Sequence, residues 1–245
     1  MNVLVTGLSG LVGSALKPSI IDKYQLTALN RSVVADVPTV QASLDDAEAI
    51  RPAFEKQDLV VHMAAKIDDS FGWEALHETN VIGTRNVFEA AATAGVKRVV
   101  FISSGATVAG WERVEPYKSI VQGRYDQLPD GLKLIDESMA TRPMNLYAST
   151  KVWGEALGRF YSDANGMEVV CLRIGFAHEA DRAENARHKS VWNSLRDVSQ
   201  AIELAMSVDL QDRFDTFFIL SNNSLAYRDI SRARERLGFN PQDSA

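Results

Sequence analysis

Short apolar runs recur along the chain, separated by longer stretches in which apolar residues return every three or four positions. The runs VLV, LVV, VVFI and VVCL are apolar at consecutive positions rather than alternate ones. A strand with one wet face alternates, whereas a strand covered on both faces reads continuously. The pattern predicts strands at residues 2–6, 25–30, 58–62, 97–103, 167–173 and 214–220, and helices at 11–21, 44–54, 73–94, 145–164, 194–207 and 227–237. Strand–helix alternation with right-handed crossovers builds an α/β fold, a doubly wound parallel sheet with helices on both faces. No repeat or linker divides the chain, so residues 1–245 are expected to form a single domain. The longest irregular stretch, 110–143, is rich in Gly, Pro and charge and reads either as a lid over a site or as a solvated insertion.

Composition narrows the partners. Apolar residues make up 46% and charged residues 24%, which suits a globular domain. Lys and Arg number 26 against 32 Asp and Glu, a net charge of −6, so neither nucleic acid nor an anionic membrane is an expected partner. No apolar run approaches the ~20 residues needed to span a bilayer. The opening MNVLVTGLSG has no basic start or cleavage site, and Cys171 is a lone cysteine that suits a reducing, cytoplasmic setting and a place in the core. No metal is expected: His178 and His188, with Glu179, Asp181 and Glu184, read as a solvated loop.

The first predicted strand runs straight into Thr6-Gly7-Leu8-Ser9-Gly10-Leu11-Val12-Gly13, which opens a helix. In that context Gly7 permits the tight turn, Gly10 admits a diphosphate to the backbone and Gly13 allows close packing, with the diphosphate on the helix's free N–H groups. This is the fingerprint of a Rossmann dinucleotide site. Residues 1–175 are then mainly the dinucleotide-binding core, and 176–245 mainly a reduced substrate-binding region. The second strand ends at Asn30-Arg31. Asn30 can bond a ribose hydroxyl without repelling a phosphate. Arg31 can pair with a 2′-phosphate, which tilts the choice between NAD and NADP slightly towards NADP, although Arg31 reads equally as a surface charge.

Tyr147 and Lys151 stand four residues apart in YASTK, on one face of a predicted helix. A phenol is a poor proton-transfer catalyst at neutral pH, and a neighbouring cation is expected to lower its pKa. Ser103 and Ser104 end the VVFI strand, where doubly wound sheets bind ligands. Together with the glycine turn, the segments VHMAA, NVIGTRNVFEAA, FISSGATVAG, YASTK and CLRIG resemble the extended short-chain dehydrogenase/reductase superfamily in its NAD-dependent epimerase/dehydratase branch. The resemblance implies Tyr147 as general acid/base, Lys151 as its electrostatic and ribose partner, and a hydroxyl near Ser104 on the substrate oxygen. It implies coenzyme contacts from Gly7, Ser9, Gly10, Leu11, Val12, Gly13, Asn30, Arg31, Ser43, Leu44, Met63, Ala64, Ala65, Asn80, Lys151 and Ile174. His62, in VHMAA, reads as a packing residue, and Arg173 as an anchor for the sheet end. Trp73 and Trp153 read as packing residues, and Trp192 as either packing or pocket lining.

Three positions depart from that pattern. Gly105 stands where the family's catalytic hydroxyl is expected, so either Ser104 or Thr107 supplies it, with Ser104 preferred. Ser43 replaces the usual adenine-contacting Asp, and a backbone contact from Leu44 is a possible substitute. The tail segments SVWNSLRD, FFILSNNS and DISRARERLGFNPQDSA are similar to small uronate dehydrogenase-type members, which implies a sugar or sugar-acid substrate, with Arg187 on its carboxylate. Phe176 replaces the substrate-binding Ser of those members and is a candidate pocket residue, and Asp68 and Asp69 are expected to repel an anion. The expected reaction is hydride transfer between a nicotinamide and a carbinol or carbonyl carbon. The alternatives are a nucleotide-sugar epimerase or dehydratase, or a non-catalytic NAD(P)-binding regulator. Pairing of the helices at 73–94 and 145–164 across a dimer axis, as a four-helix bundle, is expected from the same resemblance.

Overall fold

The computed structural model describes residues 1–245. Seven parallel strands form one sheet in the order β3-β2-β1-β4-β5-β6-β7. They are β1 (Asn2–Thr6), β2 (Gln25–Asn30), β3 (Thr39–Gln41), β4 (Leu59–His62), β5 (Arg98–Ser104), β6 (Glu168–Ile174) and β7 (Phe214–Ile219). The helices are α1 (Leu11–Ile20), α2 (Ala47–Ile50), α3 (Gly72–Leu76), α4 (Thr84–Thr93), α5 (Tyr117–Val121), α6 (Leu146–Asn165), α7 (Ala186–Val191) and α8 (Leu195–Ser207). The consecutive apolar positions are explained by layers on both sides. Val3, Val5, Val100 and Ile102 face α1 and α8 in one core, while Leu4, Val99 and Phe101 face α4 and α6 in a second. Both cores exclude water, which makes unbroken apolar strands the favourable choice. No helix is long and apolar enough to cross a membrane.

Several elements depart from expectation. The edge strand β3 is only three residues long, too short to show a period. The helix expected at 44–54 is one α turn followed by a tighter 3₁₀ turn with Pro52 near its start. The one at 227–237 is reduced to a single wide turn at Ala233–Leu237. The stretch 110–143 is solvated at 122–133 but anchored on either side of that segment. Tyr117, Ile120 and Ile135 pack with Val108, Val191, Phe218 and Tyr227 into a third core beside the sheet. Beyond Gly175 the chain is shared between layers, since α8 and β7 complete the main sheet while α7 and Tyr227 belong to this third core.

Candidate active site

Because all the strands are parallel, their carboxyl ends share one edge, and the strand order reverses between β1 and β4. Open α/β sheets bind ligands at that crevice. Gly7 lies there with φ +74°, and a Cβ on it would sit 2.8 Å from the Cα of Ala64, so no larger residue fits between the turn and the Met63–Ala65 segment. Gly10 caps α1 without any side-chain hydrogen bond and is exposed with Ser9 and Leu11, leaving the first amides of the helix to an outside anion. Asn30 reaches the turn from β2, donating to Ser9 Oγ (2.7 Å) and to the Ser32 carbonyl (3.3 Å), and Arg31 beside it is exposed. This uncapped helix end and glycine cradle fit the diphosphate of a dinucleotide.

Buried polar contacts lock the crevice. His62 bridges Thr6 Oγ1 (2.8 Å) and Thr84 Oγ1 (3.1 Å), and burial together with the Lys151 charge lowers its pKa to about 3, so it stays neutral. Asn80 sits on a wide helical turn, His77–Gly83, that joins α3 to α4. Its carboxamide accepts from Lys66 N (2.8 Å) and donates to Lys66 O (2.8 Å) and Thr150 Oγ1 (3.1 Å). It therefore ties the loop after β4 to α6, and those bonds engage both of its polar atoms. Ser43 is exposed and bonds the Asp45 side chain, while the Leu44 carbonyl accepts from Asn86 (2.9 Å) and leaves only its amide for a ligand.

Helix α6 delivers Tyr147 and Lys151. Asn145 caps it through Ala148 N (2.8 Å), and Asp69 accepts from Leu146 N (3.1 Å) and Tyr147 N (2.8 Å) across 78 residues of sequence. An acid at a helix N-terminus is stabilising there. Asp69 is thus a positioning group rather than a source of repulsion, and Asp68 similarly caps the turn at Ser70 (2.8 Å). Lys151 is buried, donates to Ile102 O (2.7 Å), and lies 4.9 Å from the Phe101 ring centre and 6.0 Å from that of Tyr147. Burial lowers its pKa to about 8, against the opposing pull of Glu155. Tyr147 itself departs from expectation. Burial raises its pKa, and the nearby Ser104 hydroxyl only partly opposes this. The ammonium is directed to a carbonyl, so desolvation of the phenol wins.

The choice between the two hydroxyls follows from geometry. Thr107 is fully buried and donates to the Ser104 carbonyl (2.8 Å), which removes it from any pocket. Ser104 is half-buried, accepts from Ala106 N (3.1 Å) and faces Tyr147. Ile174 pairs with Ser104 across β5 and β6. Arg187 is also corrected: its Nε and Nη2 hold Glu112 at 2.6 and 3.0 Å, so its fork is closed from within the chain. Phe176 stacks on His188 with ring centres 4.1 Å apart and is half-buried. Sequence reasoning missed Glu112, Glu155 and Arg228, and gave Asp69 the wrong role. Only Gly105, where a hydroxyl was expected, signalled that something else fills that corner.

Fold, glycine cradle and the Tyr147–Lys151 helix together define a nucleotide-dependent α/β enzyme. Residues 3–218 match the NAD dependent epimerase/dehydratase family, and the chain belongs to it. It is 31% identical to the NAD-dependent glucose-6-phosphate dehydrogenase of Haloferax volcanii, over 99% of this chain and 94% of that protein. It is 29% identical to the L-arabinose 1-dehydrogenase (NAD(P)(+)) of the same organism, over 99% and 97%. Its fold superposes on a uronate dehydrogenase mutant from Agrobacterium tumefaciens complexed with NAD, with TM-score 0.80 and 26% identity over 100% and 85% of the two chains. The coenzyme names of these relatives give no support to a preference for NADP.

Proposed function

We propose that the protein is an NAD(P)-dependent oxidoreductase that moves hydride between the nicotinamide and a carbinol or carbonyl carbon of a small sugar or sugar acid. The observation that carries this reading is the half-buried Tyr147 phenol facing Ser104, with Lys151 buried beneath it at the coenzyme edge of the sheet. The bound coenzyme supplies the hydride chemistry, and the chain supplies the rest. The uncapped amides of α1 with Gly7, Ser9, Gly10, Leu11, Val12 and Gly13 hold the diphosphate. Asn30 and Arg31 meet the adenosine ribose, and Met63–Ala65, Ile174 and Lys151 line the path to the nicotinamide. Ser104 Oγ orients the substrate oxygen, and Tyr147 Oη takes or returns its proton. Asn80 and Asp69 act through other groups, as positioning residues. The test is coenzyme reduction followed by absorbance, with free aldoses and uronates and with UDP-glucose. Turnover of free sugars supports the reading; turnover of UDP-glucose alone replaces it with a nucleotide-sugar enzyme.

The reading includes a homodimer. Trp73 on α3 is 49% exposed and Phe160 on α6 is 59% exposed, and Val81 and Ile82 in the wide turn before α4 and Trp153 on α6 are half-buried. Two such faces joined across a two-fold axis make a four-helix bundle and remove both aromatics from water. Sedimentation equilibrium is expected to give twice the chain mass, falling towards the monomer in Phe160→Glu. A monomeric wild type sinks the dimer and leaves the chemistry standing.

A further inference from the structure

Beside the coenzyme edge, a group of charges lies outside the machinery described so far. Glu112 receives Arg187 through two bonds and also accepts from the Tyr227 hydroxyl. Arg228 Nη2 donates to that hydroxyl (2.9 Å) and stands 3.7 Å from Glu112 Oε1. Two guanidinium groups therefore share one carboxylate, and the phenol between them stays neutral because burial raises its pKa. The cluster carries one uncompensated positive charge, and Arg228, only 3% exposed, is the less satisfied of the two arginines. Its Nε is sealed from solvent with no partner at all. Its Nη1 makes no hydrogen bond within the chain, yet it is not among the sealed, unpartnered atoms, so it keeps a narrow access to solvent.

That unpaired nitrogen lies against Gly105. A Cβ on Gly105 would lie 2.0 Å from Arg228 Nη1 and 2.7 Å from its central carbon. Gly105 follows Ser104 directly and stands where the family's hydroxyl is expected. The guanidinium thus takes the space of the missing side chain, next to the hydroxyl assigned to the substrate oxygen. Charged donors left unpaired in a low-dielectric wall are costly unless an acceptor arrives. A guanidinium fork is matched best by the paired oxygens of a carboxylate or phosphate.

We propose that Arg228, admitted by Gly105 and held by Tyr227 and Glu112, binds the anionic group of an acidic sugar substrate, in the role that the resemblance gave to Arg187. The proposal rests on the oxidoreductase reading only for the location of the reacting carbon. Its test therefore uses binding as well as turnover. With NAD present, glucuronate, glucose 6-phosphate and glucose are compared as probes by the melting point of the wild type and of Arg228→Gln, Arg228→Lys and Gly105→Ala. One acidic sugar is expected to raise the wild-type melting point more than glucose does, and which one does so tells carboxylate from phosphate. Arg228→Gln should erase that difference. Gly105→Ala, which displaces the guanidinium without altering charge or the tail, should shrink it. In turnover, Arg228→Gln should raise KM for the acidic sugar by about 10- to 100-fold relative to glucose, the loss of a charge-assisted hydrogen bond. Equal shifts with all three sugars, no shift with any of them, or a KM change shared equally by acidic and neutral sugars overturns the proposal. If Arg228→Gln fails to fold, Arg228→Lys and Gly105→Ala decide by the same criteria. Selective binding without turnover would uphold Arg228 and overturn the oxidoreductase reading; turnover blind to substrate charge would do the reverse.

Discussion

Tyr147→Phe is expected to lower kcat/KM for sugar oxidation by about 10²- to 10⁴-fold, the usual contribution of a positioned proton-transfer group. The substitution removes one oxygen from a ring whose place is set by the capped start of α6, through Asn145 and Asp69, so the helix should persist. NAD should still raise the variant's melting point, because the diphosphate cradle lies on α1 and is untouched. The free protein holds Tyr147 protonated, since burial raises its pKa, and the nearby Lys151 ammonium is turned to the Ile102 carbonyl at 2.7 Å. The role proposed for Tyr147 therefore requires that proton removal be favoured in the assembled complex. Ser104→Ala should lower the rate less, because it removes orientation of the oxygen and not the proton acceptor. A Tyr147→Phe enzyme with an unchanged rate would show that another group moves the proton.

The largest loss of stability is expected from breaking the ion pair beneath the site. Glu155, 7% exposed, accepts from Ser103 Oγ (2.5 Å) and from Arg173 Nε (2.9 Å) and Nη2 (2.7 Å), and Arg173 is itself 5% exposed. Glu155→Leu leaves a buried guanidinium without the carboxylate bonded to it, with only the more distant Glu137 charge beside it, and one of its nitrogens, Nη1, is already unpartnered. The expected cost is about 3–5 kcal/mol, which for a chain of this size lowers Tm by roughly 6–20 °C. Denaturant titration measures it directly. The double variant Glu155→Leu/Arg173→Met should recover most of the loss, because the penalty comes from the orphaned charge and not from missing attraction. A single variant as stable as wild type would mean that water reaches Arg173. Glu155 stands one helical turn beyond Lys151, so the same variant should also disturb the amine.

The main sheet was legible because its information is local. VLV, LVV, VVFI and VVCL read as strands covered on both faces, and the strands predicted around them end within a residue of β1, β4, β5 and β6. The glycine turn, Tyr147 and Lys151 were legible for the same reason, since each pair of groups is separated by one turn of chain. What escaped is what depends on distant partners. Glu112 meets Tyr227 across 115 residues, and Asp69 meets Tyr147 across 78. Nothing near Asp69 in sequence distinguishes a helix cap from a surface acid. Arg187 was read as free to bind substrate because its partner, Glu112, lies in a stretch that shows no period. The expected direction for the Tyr147 pKa failed for a related reason: spacing places two groups on one face but does not say which carbonyl the ammonium reaches.

The depth of Lys151 links the resting protein to alkalinity. Unfolded, this amine titrates at its ordinary value of 10.5; folded, it does so at about 8. Below both values the two states carry the same proton, and confinement of the cation weighs against the native state by about 3 kcal/mol at 1.36 kcal/mol per pKa unit. Between them the folded chain has released a proton that the unfolded chain keeps, so unfolding takes one up from the buffer at this position and the penalty against the native state shrinks as pH rises. Calorimetry at pH 9 in two buffers of different ionisation heat reads the net proton exchange of unfolding, to which Cys171, its pKa raised by burial, contributes in the opposite sense, so the uptake at Lys151 is the change between wild type and Lys151→Met. At this one position, then, mild base eases a strain that neutral buffer leaves in place.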